Sequence, residues 1–69
     1  MELTTKQREV ISYFWKRGWF NPSELLIIFS TEIARKECMS RLLTLKLIKE
    51  ENFIFYIDRD KFLEWDRRN

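Results

Sequence analysis

Histidine, the commonest general base and metal ligand, does not occur in this chain. Cysteine occurs once, at Cys38, so it supplies neither a thiol–imidazole pair, nor a zinc site, nor an internal disulfide. Glycine also occurs once, at Gly18, which excludes a glycine-rich phosphate loop. Two acidic pairs remain, Glu50-Glu51 and Asp58-Asp60. The first reads as a solvated turn, and in the second Asp58 reads as a helix N-cap. The expectation is a protein that is not an enzyme and holds no metal or cofactor. What the chain does offer is a run of cations and hydroxyls: Thr31, Arg35, Lys36, Ser40 and Arg41. Residues 32–49 carry Arg35, Lys36, Arg41, Lys46 and Lys49 against Glu32 and Glu37, a net +3. Residues 1–31 carry a net +1 and residues 50–69 a net −2. A basic excess gathered in one stretch suits a polyanionic partner, a solvated helix face being the plainer alternative.

Sixty-nine residues make a single domain, 1–69. A chain this short buries only about 60% of its unfolded surface. Eleven aromatic residues answer with bulk, each ring able to bury roughly 150–250 Å². Short helices cannot house all of them, so some are expected at the surface or in an oligomer contact. The longest apolar run, Leu25 to Phe29, has five residues, against the roughly 20 that span a bilayer. The N-terminus has no basic region followed by an apolar stretch. A soluble, cytoplasmic protein without membrane contact is expected.

The elements that must position the basic run can be read along the chain. A first helix is expected from about Thr5 to Arg17, with Thr4 and Gln7 as a capping box and Val10, Ile11 and Phe14 inward. Gly18 ends it as a left-handed C-cap. A second helix, about Pro22 to Phe29, starts with Asn21 as N-cap, Pro22 in the first position and Glu24 completing the box. Leu25, Ile28 and Phe29 face the core and Ile27 the other side. A third helix, about 32–46, follows Ser30-Thr31. Its buried stripe is Ala34, Cys38, Leu42 and Leu45, which turns Lys36 and Ser40 outward. Strands Leu47–Glu50 and Phe53–Ile57 form a hairpin around Glu51-Asn52, with Phe53, Phe55 and Ile57 on one face. Ile54 and Tyr56 make the second face apolar as well, so a covering element is expected. A fourth helix starts at Asp58 and carries Phe62, Leu63 and Trp65.

This order resembles a winged helix-turn-helix domain of the MarR-like, ArsR-like or small archaeal regulator type. The resemblance covers nearly the whole chain. It rests on the Thr4-x-x-Gln7 opening, on Pro22-Ser23-Glu24-Leu25-Leu26, and on Arg41-Leu42-Leu43-Thr44-Leu45-Lys46-Leu47-Ile48. The last is similar to the family's Leu-x-x-x-Gly-Leu-Ile finish leading into the wing. The fold class implied is mainly α with a small β-hairpin: a three-helix core, a two-stranded wing and a C-terminal helix. Three features depart from the pattern. The turn Phe29-Ser30-Thr31 lacks the usual glycine, Lys46 stands where glycine precedes the wing, and Glu50-Glu51 place carboxylates at the wing tip.

The function implied is sequence-specific binding of double-stranded DNA by a small transcriptional regulator, with the third helix in the major groove. Lys36 would donate to guanine and Ser40 would pair with several bases, while Arg35, Arg41 and Thr31 would reach phosphates. The acidic wing is not expected to touch DNA. A homodimer through Trp15, Trp19, Phe62 and Trp65 is expected, the alternative being a fourth helix folded back within one chain. A second function stays open: a protein-interaction module within a larger replication, transcription or remodelling assembly. Ile27, Ile33 and Leu43, all off the buried stripes, would then be anchors for a protein partner.

Overall fold

The computed structural model describes residues 2–68. Helix α1 spans Thr5–Tyr13 and is followed by the two-residue strand β1, Trp19–Phe20. A 3-10 helix covers Pro22–Ile27, and α2 covers Glu32–Thr44. Strands β2 (Ile48–Glu51) and β3 (Ile54–Ile57) lead into α3, Arg59–Arg68. Helices thus pack with a three-stranded antiparallel sheet of order β1-β3-β2.

The caps explain why the helices start where they do. At α1 the Gln7 backbone N–H donates to Thr4 Oγ1 at 3.2 Å, and the Thr4 N–H donates to Gln7 Oε1 at 3.0 Å. That exchange also explains how Gln7 can be buried. Thr31 Oγ1 accepts from the Ala34 N–H at 3.2 Å, and Asp58 Oδ1 from the Lys61 N–H at 3.0 Å. Each satisfies one of the backbone donors that a helix start leaves without an internal partner.

Four local expectations need correction. First, α1 stops at Tyr13 and not at Arg17: residues 14–17 form a turn that brings Phe14 inward to stack on Phe20, with ring centroids 5.1 Å apart. The turn closes at Gly18, at φ +84°, whose N–H donates to the Phe14 carbonyl at 2.7 Å. Second, the segment after Pro22 is a 3-10 helix: the Glu24 N–H donates to the Asn21 carbonyl and the Ile28 N–H to the Leu25 carbonyl, each at 3.0 Å. A short segment suits this tighter winding, and fully buried Leu25 pins it to the core. Third, the sheet has a further strand, because Trp19 and Phe20 pair with Tyr56 and Phe55. Fourth, the hairpin turns at Asn52-Phe53, with Glu51 paired to Ile54 and both turn residues at positive φ (53° and 66°). Phe53 therefore leaves the inward face of Phe55 and Ile57 and stands 82% exposed.

The core joins Val10, Ile11 and Phe14 of the first helical segment to Phe20, Leu25, Phe29, Cys38 and Leu42. Leu47, Ile48, Phe55 and Ile57 close it from the sheet side. Phe20 stacks on Phe55 at 5.8 Å as well as on Phe14, an offset geometry in the range where ring pairs attract. Among the described residues no element covers the outer sheet face at Tyr56, which remains 43% exposed between Trp19 and Lys49 on the neighbouring strands.

Candidate nucleic-acid interface

Thirteen residues make α2 about 20 Å long at 1.5 Å per residue. Its rotation is fixed by Cys38 and Leu42, both fully buried, with Ala34 and Leu45 half-buried beside them. At about 100° per residue the opposite face must carry Ile33, Lys36, Ser40 and Leu43, and all four are exposed.

The five expected contacts divide on this frame. Lys36 reaches outward and forms an exposed pair with Glu32, Nζ to Oε1 3.2 Å. Such a pair contributes roughly 0–1 kcal/mol, so the ammonium is easily redirected to another anion. Ser40 lies one turn further along the same face. Thr31 uses its oxygen to accept from the Ala34 N–H, which leaves its hydroxyl proton available to a phosphate beside the positive end of the helix dipole. Arg35 is half-buried and donates from Nη1 to the Phe29 carbonyl at 3.1 Å, clamping the junction between the 3-10 helix and α2. Arg41 stands five residues after Lys36, about 140° round the helix. It donates to the Glu2 carbonyl at 3.3 Å and lies 3.7 Å from Glu37. Lys36, Ser40 and Arg35 therefore come together, whereas Thr31 caps the helix on another side, in a hollow shared with Thr4, Thr5 and Gln7, and Arg41 serves a different side.

Beside Lys36 and Ser40 runs an open groove of about 670 Å³ between the 3-10 helix and α2. Leu26, Met39 and Leu43 supply its apolar surface above buried Leu25, with Glu32, Arg35, Lys36 and Ser40 on the α2 side. Leu26 is 59% exposed although its neighbour Leu25 is fully buried. Leu26 and the groove were not legible in the sequence, because a 3-10 helix of six residues sets its faces by a three-residue repeat.

Cys38 has no role at this surface: it is fully buried, and burial pushes its thiol up to about 11 against a smaller opposing effect of Arg41. The contacts of Glu24 favour its ionised form. Arg17 Nη2 donates to both its oxygens at 2.8 and 2.7 Å, and the Asn21 N–H donates at 3.0 Å. These contacts, the Arg17 bond foremost, hold its pKa below the ordinary value.

The residues expected at a dimer contact make contacts within the chain. Trp15 meets Phe62 edge-on at 5.6 Å, and Phe62 lies 5.8 Å from Trp65. Arg8 sits over both α3 rings, 5.9 Å from Phe62 and 5.4 Å from Trp65, and pairs with Asp66. Arg59 donates to the Trp15 carbonyl at 2.7 Å and to the Lys16 carbonyl at 3.1 Å, fastening α3 to the end of the α1 segment. Trp19 lies apart from this group, on β1 under the Arg17 guanidinium at 4.1 Å. Trp15, Phe62 and Trp65 keep part of their surface in solvent, and Leu63 is half-exposed.

Among the described residues no three acidic, cysteine or histidine side chains come together to hold a metal ion, and no helix is long and apolar enough to cross a membrane. Compared with models of protein families, with characterised proteins and with solved structures, the chain gives no match.

Proposed function

We propose that the chain is a winged helix-turn-helix domain that binds double-stranded DNA sequence-specifically, as a small cytoplasmic transcriptional regulator. The reading rests on one observation above others: α2 presents Lys36 and Ser40 on an exposed face, with Thr31 at its start and Arg35 alongside. A helix fits the major groove, roughly 12 Å wide, where Lys36 suits guanine O6 or N7 and Ser40 suits several bases. The order helix, 3-10 helix, helix, hairpin supports the family resemblance, with β2 and β3 as the wing and β1 as its flanking strand. Glu50 and Glu51 keep the wing away from phosphates.

Binding of a labelled mixed-sequence duplex, followed by anisotropy at about 50 and 200 mM salt, tests this. About three phosphate contacts give a log–log salt slope of roughly −3. Lys36→Ala should weaken binding and relax any preference for guanine, with little change in that slope. Lys36 is the better target than Arg35, because Arg35 also holds the Phe29 carbonyl. Absence of binding up to roughly 100 μM at the lower salt, beyond the usual non-specific range, refutes the reading. The apolar groove with Leu26, and the exposed Ile33 and Leu43 beside Lys36, favour the second reading, a protein-interaction module.

A further inference from the structure

We propose that the hairpin tip of one copy of this chain docks into the groove between the 3-10 helix and α2 of a second copy. The tip is unusual in conformation and in exposure. Asn52 and Phe53 form a two-residue turn with both φ positive, at 53° and 66°. Asparagine tolerates that region and glycine is favoured after it, whereas a bulky aromatic at positive φ is a genuine outlier. Phe53 gains nothing in its own chain for that strain, since it stands 82% exposed. Strain of this kind points towards function when the surrounding structure gives it no other use. Glu50 and Glu51 flank the ring, exposed and in no ion pair among the described residues. The tip is therefore a convex aromatic knob with an acidic collar.

The groove has the opposite character on each count. It is concave, about 670 Å³, and lined by Leu25, Leu26, Met39 and Leu43. Its α2 side carries Arg35 and Lys36 against the single carboxylate Glu32, which leaves the rim net positive. An aromatic anchor in an apolar cleft, ringed by opposite charges, is the arrangement that gives protein contacts their energy and register. DNA is the wrong occupant for the tip, since phosphates repel the two carboxylates beside Phe53. Within one chain the two surfaces do not meet, since Phe53 is exposed and the groove open. Two different patches on identical chains make either a reciprocal pair, each tip in the other's groove, or an open chain of copies. A two-residue tip in one groove is a small contact beside the standard interfaces of roughly 1,200 Å² or more, so weak association is expected. Lys36 and Ser40 line the same groove, so self-association and DNA binding would exclude each other. That consequence alone rests on the DNA reading; the docking does not.

Sedimentation velocity without DNA, from about 20 μM to about 1 mM, covers the range expected of so small a contact. The natural chain should rise in mean mass towards about twofold over that range. Phe53→Gly should stay monomeric at every concentration with an unchanged circular dichroism spectrum, since glycine suits the turn. Glu51→Lys and Lys36→Glu should each stay monomeric alone and associate when mixed, because the reversed charges meet again. A natural chain monomeric throughout overturns the proposal, as does Phe53→Gly associating like the natural chain. Failure of the mixed variants to associate overturns the assignment of the groove.

Discussion

Lys46 offers the sharpest test of the local structure. It sits at φ +61° directly after α2. The Leu47 N–H donates to the Leu42 carbonyl and the Lys46 N–H to the Leu43 carbonyl, each at 3.0 Å. This two-bond C-cap normally uses glycine at the left-handed position. A side chain there costs about 1–2 kcal/mol, because Cβ crowds the following carbonyl. Glycine removes that cost but enlarges the entropy of the unfolded chain by about 0.4–1 kcal/mol. Loss of an exposed cation near the helix C-terminus costs about 0.3 kcal/mol more. The Lys46 side chain is exposed and in no ion pair among the described residues, so little else changes. Lys46→Gly should therefore gain about 0.5 kcal/mol, which raises Tm by roughly 2–4 °C in a domain of this size. Lys46→Ala removes the same cation but keeps Cβ, so it should lie about 0.5–1 kcal/mol below the glycine variant. Thermal unfolding by far-ultraviolet circular dichroism, with urea unfolding to check that the slope m is unchanged, reads both. A glycine variant no more stable than the alanine variant refutes the left-handed C-cap and, with it, the angle at which α2 hands over to the hairpin.

Glu24 carries a pH dependence whose sign is fixed by its contacts. Its folded pKa is depressed below the 4.5 of the free group, chiefly by the Arg17 hydrogen bond, so its contribution is full above the unfolded pKa and lost as pH falls through the folded one. Glu24→Gln should lower Tm at neutral pH, with the gap to the natural chain narrowing as pH falls below 4.5 and through the depressed folded pKa; a gap independent of pH contradicts the ion-pair reading. Cys38, buried and with its thiol pushed up to about 11, should resist a disulfide reagent at about pH 8 in the folded chain and react rapidly in urea. Labelling of the folded chain at the rate of a free thiol would place Cys38 outside the core. Leu42→Ala, at a fully buried position, should cost about 2–5 kcal/mol, enough to unfold much of a small domain; a loss under 1 kcal/mol in urea unfolding contradicts the packing described for α2.

The parts legible in the sequence were those set by local chemistry. Thr4, Gln7, Thr31 and Asp58 mark helix starts because a side-chain oxygen three residues from a free N–H needs nothing distant. The stripe of Ala34, Cys38, Leu42 and Leu45 fixed the rotation of α2, and so placed Lys36 and Ser40 outward. What the sequence hid depends on partners far along the chain. Strand β1 has two residues, too few to show alternation, and exists because Trp19 and Phe20 find Tyr56 and Phe55. The hairpin turn shifted by one residue because the ladder puts Glu51 opposite Ile54, which flips Phe53 out of the core face. Arg35 and Arg41 look alike in sequence to Lys36, yet each donates to a backbone carbonyl of another segment. Only the fold separates cations that brace the structure from one that is readily redirected.

Nuclear magnetic resonance titration of the labelled chain with a short mixed-sequence duplex tests the central claim most directly. The proposal predicts amide shifts concentrated on residues 31–43, strongest near Lys36 and Ser40, fading as salt rises and absent from residues 50–53. Shifts confined to α3 or to the hairpin, or none at all, would contradict an α2 that enters the DNA groove.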